Sequence, residues 1–436
     1  MKRSKRLATT AIALALPAAL LLTSCAAAGD ANEGQDSADE GNTLTVWTWD
    51  PAFNIYAMEE AEKVYQQDNP DFELEVVEVP WEDLQTRLTT IAQSQAWGEL
   101  PDIFLMQNNA FQKNGINYPD LFSDLGGADI DFSQFPESVV AYSTLDGVNY
   151  GVPFDSGTAV TALRTDILGE AGYTLDDFTD IDWNTFIAQG QDVLSKTGKP
   201  LLSGPAGSSD LVVMMLQSAG ASLFDEDGNP TIVDNDALNG AIDAYTQLVE
   251  TGVFLEVNSW DEYVGSFVNG NVAGTQQGVW IVGSIQTAED QSGSWGITNV
   301  PSLDGVTGAT NYTANGGSSW AVSSNADVEL ASDFLASTFA GSTELYDIIL
   351  PASGAVANWI PAGDSPVYAE PVEFFGGEAV FAKVVEFGSE VPSNNTGAYY
   401  YEGRDAVSAA ITQILNGADR DTALAEAQAN VEFAMQ

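Results

Sequence analysis

The sequence contains no histidine and a single cysteine among its 436 residues. Without histidine, the chain lacks the most common general base and the most common zinc ligand of proteins. A Ser-His-Asp triad and a Cys-His pair are therefore excluded as sources of catalysis. The single cysteine excludes an internal disulfide, so the folded part must be stabilised by burial of its core.

Basic residues are scarce as well, with 13 Lys and Arg against 63 Asp and Glu. Four of them precede residue 7, which leaves nine for the rest of the chain. Binding to nucleic acid requires clusters of Lys and Arg that this composition cannot supply. The same shortage argues against an anionic lipid surface or an anionic substrate, and it favours a strongly solvated, repulsive surface.

The N-terminus has the layout of a secretory signal. Basic residues within positions 2–6 precede an apolar run over 7–22, and the sequence Leu-Thr-Ser-Cys then ends at Cys25. The apolar run is shorter than the about 20 residues that span a membrane as a helix. Leu-Thr-Ser-Cys resembles a bacterial lipobox, which predicts a lipoprotein signal peptide over 1–24 and lipidation of Cys25. The alternative is an ordinary secretory peptide with an incidental cysteine.

Residues 25–42 are acidic and contain no large apolar side chain, which predicts a flexible tether. Strand and helix patterns alternate after it. They predict strands over 43–49, 72–79 and 101–106, with helices over 55–67 and 84–95 between them. Further helices are predicted over 183–197, 236–251, 328–339, 402–415 and 421–433, and a strand over 315–323. The alternation at the start predicts an α/β fold whose mostly parallel sheet carries helices on both faces.

Ligands bind such sheets at the carboxyl ends of the strands. Asp50 and the polar run 107–109 directly follow two predicted strands. The chain also holds ten Trp, 14 Tyr and 20 Phe, several of them in polar, glycine-containing segments. Flat aromatic rings cover the apolar face of a sugar, and Asp, Asn and Gln side chains bind its hydroxyl groups. Burial of one such ring face contributes about 1.5–3 kcal/mol by area.

Several segments carry a resemblance to one family. In chain order they cover residues 46–50, 101–104, 150–155 with 163–166, 278–280 and 316–322, and the tail over 400–428. From Thr43 onward the chain resembles the extracellular solute-binding lipoproteins of carbohydrate ABC transporters, the group that contains maltose-binding protein. The resemblance covers nearly all of the chain after the tether.

The resemblance implies a two-lobed periplasmic-binding-protein-like fold with three inter-lobe crossovers and a ligand cleft at the hinge. It places residues 43–157 and 315–358 in an N-terminal lobe. Residues 158–314 and 359–436 then form a C-terminal lobe. Both lobes are discontinuous in sequence, as expected for a chain that crosses between them three times.

The resemblance also implies a set of ligand-binding residues: Trp49, Asp50, Asn108, Asn109, Asp155, Asp210, Trp280, Ser318, Ser319 and Tyr400. Asp210 is equally well explained as part of a helix N-terminus. The second cleft loop departs from maltose-binding protein, because Met106, Asn109 and Ala110 stand where that protein has an aromatic residue, an acid and an arginine. Maltose itself is therefore not the expected ligand.

The sequence thus predicts a lipid-anchored, monomeric receptor outside the cytoplasm, with no catalytic residues, metal or cofactor. It would capture a neutral oligosaccharide and deliver it to the permease subunits of an ABC importer, whose ATP hydrolysis belongs to another subunit. Two alternatives remain: a lipid-anchored glycoside hydrolase that uses two carboxylates, drawn from Asp50, Asp155 and Asp210, or a receptor for a non-sugar solute.

Overall fold

The computed structural model of the protein describes residues 41–207, 209–225, 227–392 and 397–436. The predicted signal peptide, Cys25 and nearly all of the tether lie outside these residues. No helix in the described ranges is long and apolar enough to cross a membrane.

The described residues form strands that are grouped into sheets. The strands are β1 Thr43–Thr48, β2 Glu73–Glu78, β3 Ile103–Gln107, β4 Thr144–Leu145, β5 Val148–Asn149, β6 Gly151–Asp155, β7 Ala159–Arg164, β8 Leu202–Pro205, β9 Phe254–Val257, β10 Gly274–Gly278, β11 Trp295–Thr298 and β12 Ser318–Val322. Sheet I has the strand order β2-β1-β3-β12-β6, and sheet II has the order β10-β7-β11. The strand pairs β4-β5 and β8-β9 are separate.

Helices connect and cover these sheets. They are α1 Tyr56–Tyr65, α2 Trp81–Ser94, α3 Asn108–Asn117, α4 Glu137–Val140, α5 Thr165–Ala171, α6 Trp183–Thr197, α7 Ser209–Ser218, α8 Asp236–Glu250, α9 Trp260–Val268, α10 Ile281–Gln286, α11 Val328–Ser337, α12 Thr343–Ser353, α13 Val380–Ser389, α14 Tyr400–Leu415 and α15 Arg420–Ala434.

Sheet I begins as the sequence predicts, because β1 pairs in parallel with both β2 and β3. The later strand β12 is antiparallel to β3 and to β6, and it completes the sheet. Its N-terminal end consequently lies at the edge where β3 and β6 end. Polar residues from distant parts of the sequence meet at that edge.

The two faces of sheet I are buried against different helices. Along β3, Ile103 and Leu105 pack with α1, α11 and α12, whereas Phe104 and Met106 pack with α2 and α3. This alternation follows from the two-residue period of a strand. Both faces of β3 are apolar because helices cover the sheet on both sides, as is usual for parallel strands.

Sheet II is antiparallel, with β7 between β10 and β11. Its surroundings contain two buried clusters, one that includes α6, α7, α8, α14 and α15 and one that includes α9, α10 and α13. The chain passes from the sheet I region to the sheet II region between β6 and β7, returns between β11 and β12, and passes again between α12 and α13. These passages correspond to the three predicted crossovers.

Candidate ligand-binding site

Four of the predicted site residues meet at the edge of sheet I. Asp155 ends β6, Asn108 follows β3, and Ser318 and Ser319 begin β12. The Ser318 hydroxyl donates to Asp155 Oδ1, and Ser319 Oγ donates to Asn108 Oδ1 over 2.9 Å. All four side chains are buried. We call these four residues the hinge cluster, because the first two passages between the sheets lie beside it.

Burial dominates the electrostatics of the hinge cluster. Desolvation raises the pKa of Asp155 to about 7, although the hydrogen bond from Ser318 lowers it in part. The backbone is held as well, since Asn358 Nδ2 donates to the Asp155 carbonyl over 2.6 Å. The hinge cluster therefore consists of polar groups that bind one another.

Asn315, which precedes the hinge cluster on the second passage, is bonded to the sheet II region. Asn315 Nδ2 donates to Gln277 Oε1 over 2.5 Å, and Trp280 Nε1 donates to the Asn315 carbonyl over 2.9 Å. Gly316 and Gly317 separate Asn315 from the hinge cluster, with φ values of 79° and 80°. Residues with a side chain rarely adopt such backbone φ values, so glycine is favoured at these two positions.

Trp49 and Asp50 follow β1 at the same edge of sheet I. Asp50 caps the turn after it, because its Oδ1 accepts from the backbone N–H of Ala52 over 2.9 Å. Burial raises the pKa of this carboxyl. The Trp49 ring lies against Trp81, with centroids 4.9 Å apart. Asn109 is half-buried in the first turn of α3.

A recess of about 50 Å³ lies in the sheet II region, at the start of α7. Its lining combines a carboxylate, two amides and aromatic rings: Asp210, Gln276, Gln277, Trp260 and Tyr263. Gln276 Oε1 accepts from Thr161 and Gln277 Oε1 from Asn315. These bonds use the amide oxygens. The two Nε2 groups have no hydrogen-bond acceptor among the described residues. They are therefore available as donors to a ligand.

Trp260 is the exposed member of this lining. Ser259 caps α9 by accepting from the Glu262 N–H, and Trp260 is the first residue of that helix. Its side chain is 40% exposed, so its ring is accessible from solvent. The Trp260 and Trp280 rings are 5.8 Å apart and inclined by 35°. Together they form an aromatic surface beside the recess.

Asp210 forms an ion pair with Arg404 of α14. The guanidinium also lies 5.6 Å from the ring of Tyr400 and 5.5 Å from that of Tyr401. Tyr400 is only 5% exposed, and burial raises its pKa to about 12. Its neighbour Tyr401 is half-buried and reaches sheet I, where its hydroxyl donates to Gln107 Oε1 over 2.6 Å.

The predicted residues consequently fall into three groups. Asn108, Asp155, Ser318 and Ser319 form the hinge cluster, and Trp49 and Asp50 lie farther along the sheet I edge. Asp210 lines the recess, and Trp280 lies beside it against Trp260. The remaining two, Asn109 in α3 and Tyr400 at the start of α14, belong to none of these groups. The sequence reasoning missed Trp81, Trp260, Gln276, Gln277 and Tyr401. Trp81 opens α2 after β2, so the rule for strand ends that identified Asp50 would also have found it.

The described residues contain no group of three or more acidic or cysteine side chains placed to hold a metal ion. Aromatic rings, amides and a carboxylate paired with Arg404 are instead the groups that line this region.

A family model described as bacterial extracellular solute-binding protein matches residues 60–357. The chain is 34% identical to a lactose-binding protein of Rhizobium radiobacter over 420 residues, which cover 96% of each protein. It is 24% identical to an arabinooligosaccharide-binding protein of Halalkalibacterium halodurans over 418 residues, 92% of this chain and 91% of the relative.

The structure is similar to that of the GacH receptor of Streptomyces glaucescens. The TM-score is 0.73 at 16% sequence identity, and the match covers 90% of this chain and 97% of the receptor. At this identity the likeness concerns the fold. It confirms the two-lobed α/β architecture predicted from the sequence.

Proposed function

The chain belongs to the bacterial extracellular solute-binding proteins, and we propose that it captures a neutral oligosaccharide between its lobes for delivery to the permease of an ABC importer. Membership of this family confirms the predictions of a receptor rather than an enzyme and of a location outside the cytoplasm. The alternative of a glycoside hydrolase is thereby set aside.

The observation that carries the proposed ligand class is the recess beside an exposed tryptophan. A sugar ring that covers Trp260 buries its apolar face, and its hydroxyl groups reach the amides of Gln276 and Gln277. Specificity follows because a buried polar group without a partner costs about 1–3 kcal/mol. The lactose-binding relative supports a short, galactose-containing ligand of this kind.

The charges around the cleft support a neutral ligand. Two basic residues lie near the cleft, Arg404 in α14 and Lys113 in α3. Arg404 is paired with Asp210, and Lys113 is paired with Glu402. A uronate or a phosphate would have to displace one of these carboxylates. A sugar without charge leaves both ion pairs intact.

Ligand binding between the lobes would close them. Asn315 is bonded to the sheet II region, and Ser318 and Ser319 are bonded to sheet I. We infer that the lobes pivot at the two glycines between these attachments, Gly316 and Gly317. A ligand that contacts both lobes binds the closed form more tightly and shifts the equilibrium toward it. The permease would then recognise the closed form.

The remaining proposals follow the sequence. The lobes comprise residues 43–157 with 315–358, and 158–314 with 359–436. The mature protein is a monomer whose lipidated Cys25 and tether keep it at the membrane beside the permease. Incorporation of labelled palmitate into the full-length protein in bacterial cells, and its loss in Cys25→Ala, would test the anchor.

Calorimetry on a form of the protein without the lipid anchor tests the ligand class. Lactose, further neutral disaccharides and oligosaccharides, and a uronate-containing disaccharide are titrated into protein that begins at residue 26. We expect saturable binding with a stoichiometry of one for at least one neutral sugar and none for the uronate. Binding of no neutral sugar, or preference for the uronate, would overturn the proposal.

A further inference from the structure

An ion pair joins the two lobes. Lys113 Nζ of α3 lies 2.6 Å from Glu402 Oε1 of α14. Helix α3 follows β3 of sheet I, whereas the later part of α14, with Val407 and Ile411, is buried in the core of the sheet II region. The other six ion pairs of the described residues each join two residues of one lobe. Within the described ranges, the pair of Lys113 and Glu402 is thus the one that depends on how the lobes are placed.

The two lobes carry net charge of the same sign. Residues 43–157 and 315–358 contain 25 acidic and three basic side chains, and residues 158–314 and 359–436 contain 33 and six. The formal charges of the lobes are therefore −22 and −27. Like charges repel, and at physiological ionic strength this repulsion is screened beyond about 8 Å. It consequently acts mainly between the surfaces that approach each other when the lobes close.

Glu402 is held at the boundary between the lobes by the first turn of its helix. The preceding residue, Tyr401, donates to Gln107 of β3 over 2.6 Å. The side chains of Lys113 and Glu402 are 33% and 28% exposed, and Glu402 Oε2 is buried without a hydrogen-bond partner among the described residues. A carboxylate that has lost part of its water interacts more strongly with a nearby cation than an exposed carboxylate does. Lys113 supplies that cation in the present arrangement of the lobes.

The ion pair lies away from the proposed pivot. Helix α3 begins at Asn108 of the hinge cluster, and Lys113 is farther along it by about 7.5 Å at the rise of a helix. A rotation of the lobes about Gly316 and Gly317 therefore moves Lys113 relative to α14. The two charged groups separate when the lobes open, so their attraction stabilises only the arrangement in which the lobes are together.

From these observations we propose that Lys113 and Glu402 form a latch that holds two mutually repelling lobes in the closed arrangement. Opening breaks the latch and leaves the repulsion between the lobes unopposed at this place. Closure around a ligand forms the latch again, so the pair contributes to ligand affinity without contact to the ligand. The inference rests on the proposed function in one respect, the pivoting of the lobes, and it does not depend on which ligand is bound.

Distances between spin labels on the two lobes test the latch without a ligand. The labels are attached at Ser94→Cys and Glu432→Cys, which are exposed positions in different lobes, in protein that begins at residue 26 and has no other cysteine. Pulsed electron paramagnetic resonance then gives the populations of closed and open molecules. We expect Lys113→Glu to lower the ratio of closed to open molecules at least threefold, because the substitution places two carboxylates together.

Lys63→Glu is the matched control for this experiment. It changes the net charge of the same lobe by the same amount, and it breaks an ion pair with Glu60 inside that lobe. Its distances should equal those of the parent protein. The double variant Lys113→Glu with Glu402→Lys restores opposite charges and should return the ratio to within twofold of the parent. Lys113→Gln carries the test if thermal unfolding shows that Lys113→Glu is not folded.

Equal distance distributions in Lys113→Glu and Lys63→Glu would overturn the inference, as would a double variant that stays as open as Lys113→Glu. Calorimetry with the neutral sugar that the parent binds most tightly gives a second readout. Lys113→Glu should bind this sugar at least threefold more weakly than Lys63→Glu, since less of it is closed. Equal affinities would also overturn the inference. A parent that binds no neutral sugar contradicts the proposed function alone, because the distances are measured without ligand.

Discussion

The hinge cluster and the recess are both polar and both lie at the cleft, but their polar groups have different partners. In the hinge cluster, side chains bind one another: Ser318 with Asp155, and Ser319 with Asn108. In the recess, the amides of Gln276 and Gln277 keep donors without an acceptor among the described residues, next to the exposed Trp260. The difference teaches that a polar residue beside a cleft is not by that fact a ligand-binding residue.

The comparison divides the predicted site residues by expected effect. Substitutions in the hinge cluster should change stability or the pivot and should leave affinity almost unchanged. Substitutions in the recess should change affinity and leave stability almost unchanged. Each of the following predictions tests one side of this division.

The largest effect on stability is expected from Asp155→Asn. The pKa of Asp155 is about 7 in the folded protein and about 3.9 in an unfolded chain. The folded state therefore binds the proton more tightly, so stability falls as the pH rises from about 4 to about 7. Asparagine still accepts from Ser318 but carries no charge. Urea unfolding at pH 8 should show the variant to be more stable, by up to about 4 kcal/mol.

This gain should shrink as the pH is lowered and be small near pH 4, where Asp155 is protonated in the folded state and about half protonated in the unfolded state. Asp68→Asn at an exposed position is the control and should change stability little at either pH. Equal stability of Asp155→Asn and the wild type at pH 8 would show that the carboxylate is not desolvated in the hinge cluster.

A smaller effect is expected from Gly317→Ala. Its φ of 80° strains any other residue, and an added Cβ would lie 3.0 Å from Asn108 Nδ2 and 3.2 Å from the Asp155 carbonyl oxygen. Gly147→Ala is a matched control, because it has the same φ and nothing within 4 Å of the added Cβ. The free energy of unfolding, measured in urea, should fall by about 1–3 kcal/mol more in Gly317→Ala than in the control. Equal losses would mean that the pivot is loosely packed.

The smallest change in stability is expected from Ser319→Ala. The substitution leaves Asn108 Oδ1 buried without the Ser319 donor, which costs about 1–2 kcal/mol. Ser94→Ala removes an exposed hydroxyl from α2 and should stay within about 0.5 kcal/mol of the wild type. Sugar affinity of Ser319→Ala should change less than twofold. A tenfold loss of affinity with unchanged stability would show instead that Ser319 binds the ligand.

The start of the fold could be predicted from the sequence because its signals are local. Strand and helix patterns alternate from β1 to β3, and the predicted helix over 84–95 is found as Trp81–Ser94. The insertion of β12 between β3 and β6, antiparallel to both, could not be read from local pattern, since β12 and β3 are more than 200 residues apart in sequence. The resemblance to a known family predicted the three crossovers between the lobes but not this strand pairing.

The candidate site shows the same limit. The rule for strand ends located Asp50 and Asn108 correctly at the edge of sheet I. It could not show that the Ser319 hydroxyl donates a hydrogen bond to Asn108, because the two residues are 211 positions apart. Trp260 and Tyr401 were missed for a related reason, as a single aromatic residue at a helix start gives no local signal of the cleft it faces.

The central claim is that the recess and its tryptophans bind the sugar. Calorimetric titration of Trp260→Ala with the neutral sugar that the wild type binds most tightly tests it most directly. Phe433→Ala is the control, since Phe433 is 77% exposed near the C-terminus, in α15. We expect Trp260→Ala to bind at least tenfold more weakly, about 1.4 kcal/mol, with unchanged unfolding, and Phe433→Ala to bind like the wild type. Unchanged affinity of Trp260→Ala would contradict the claim.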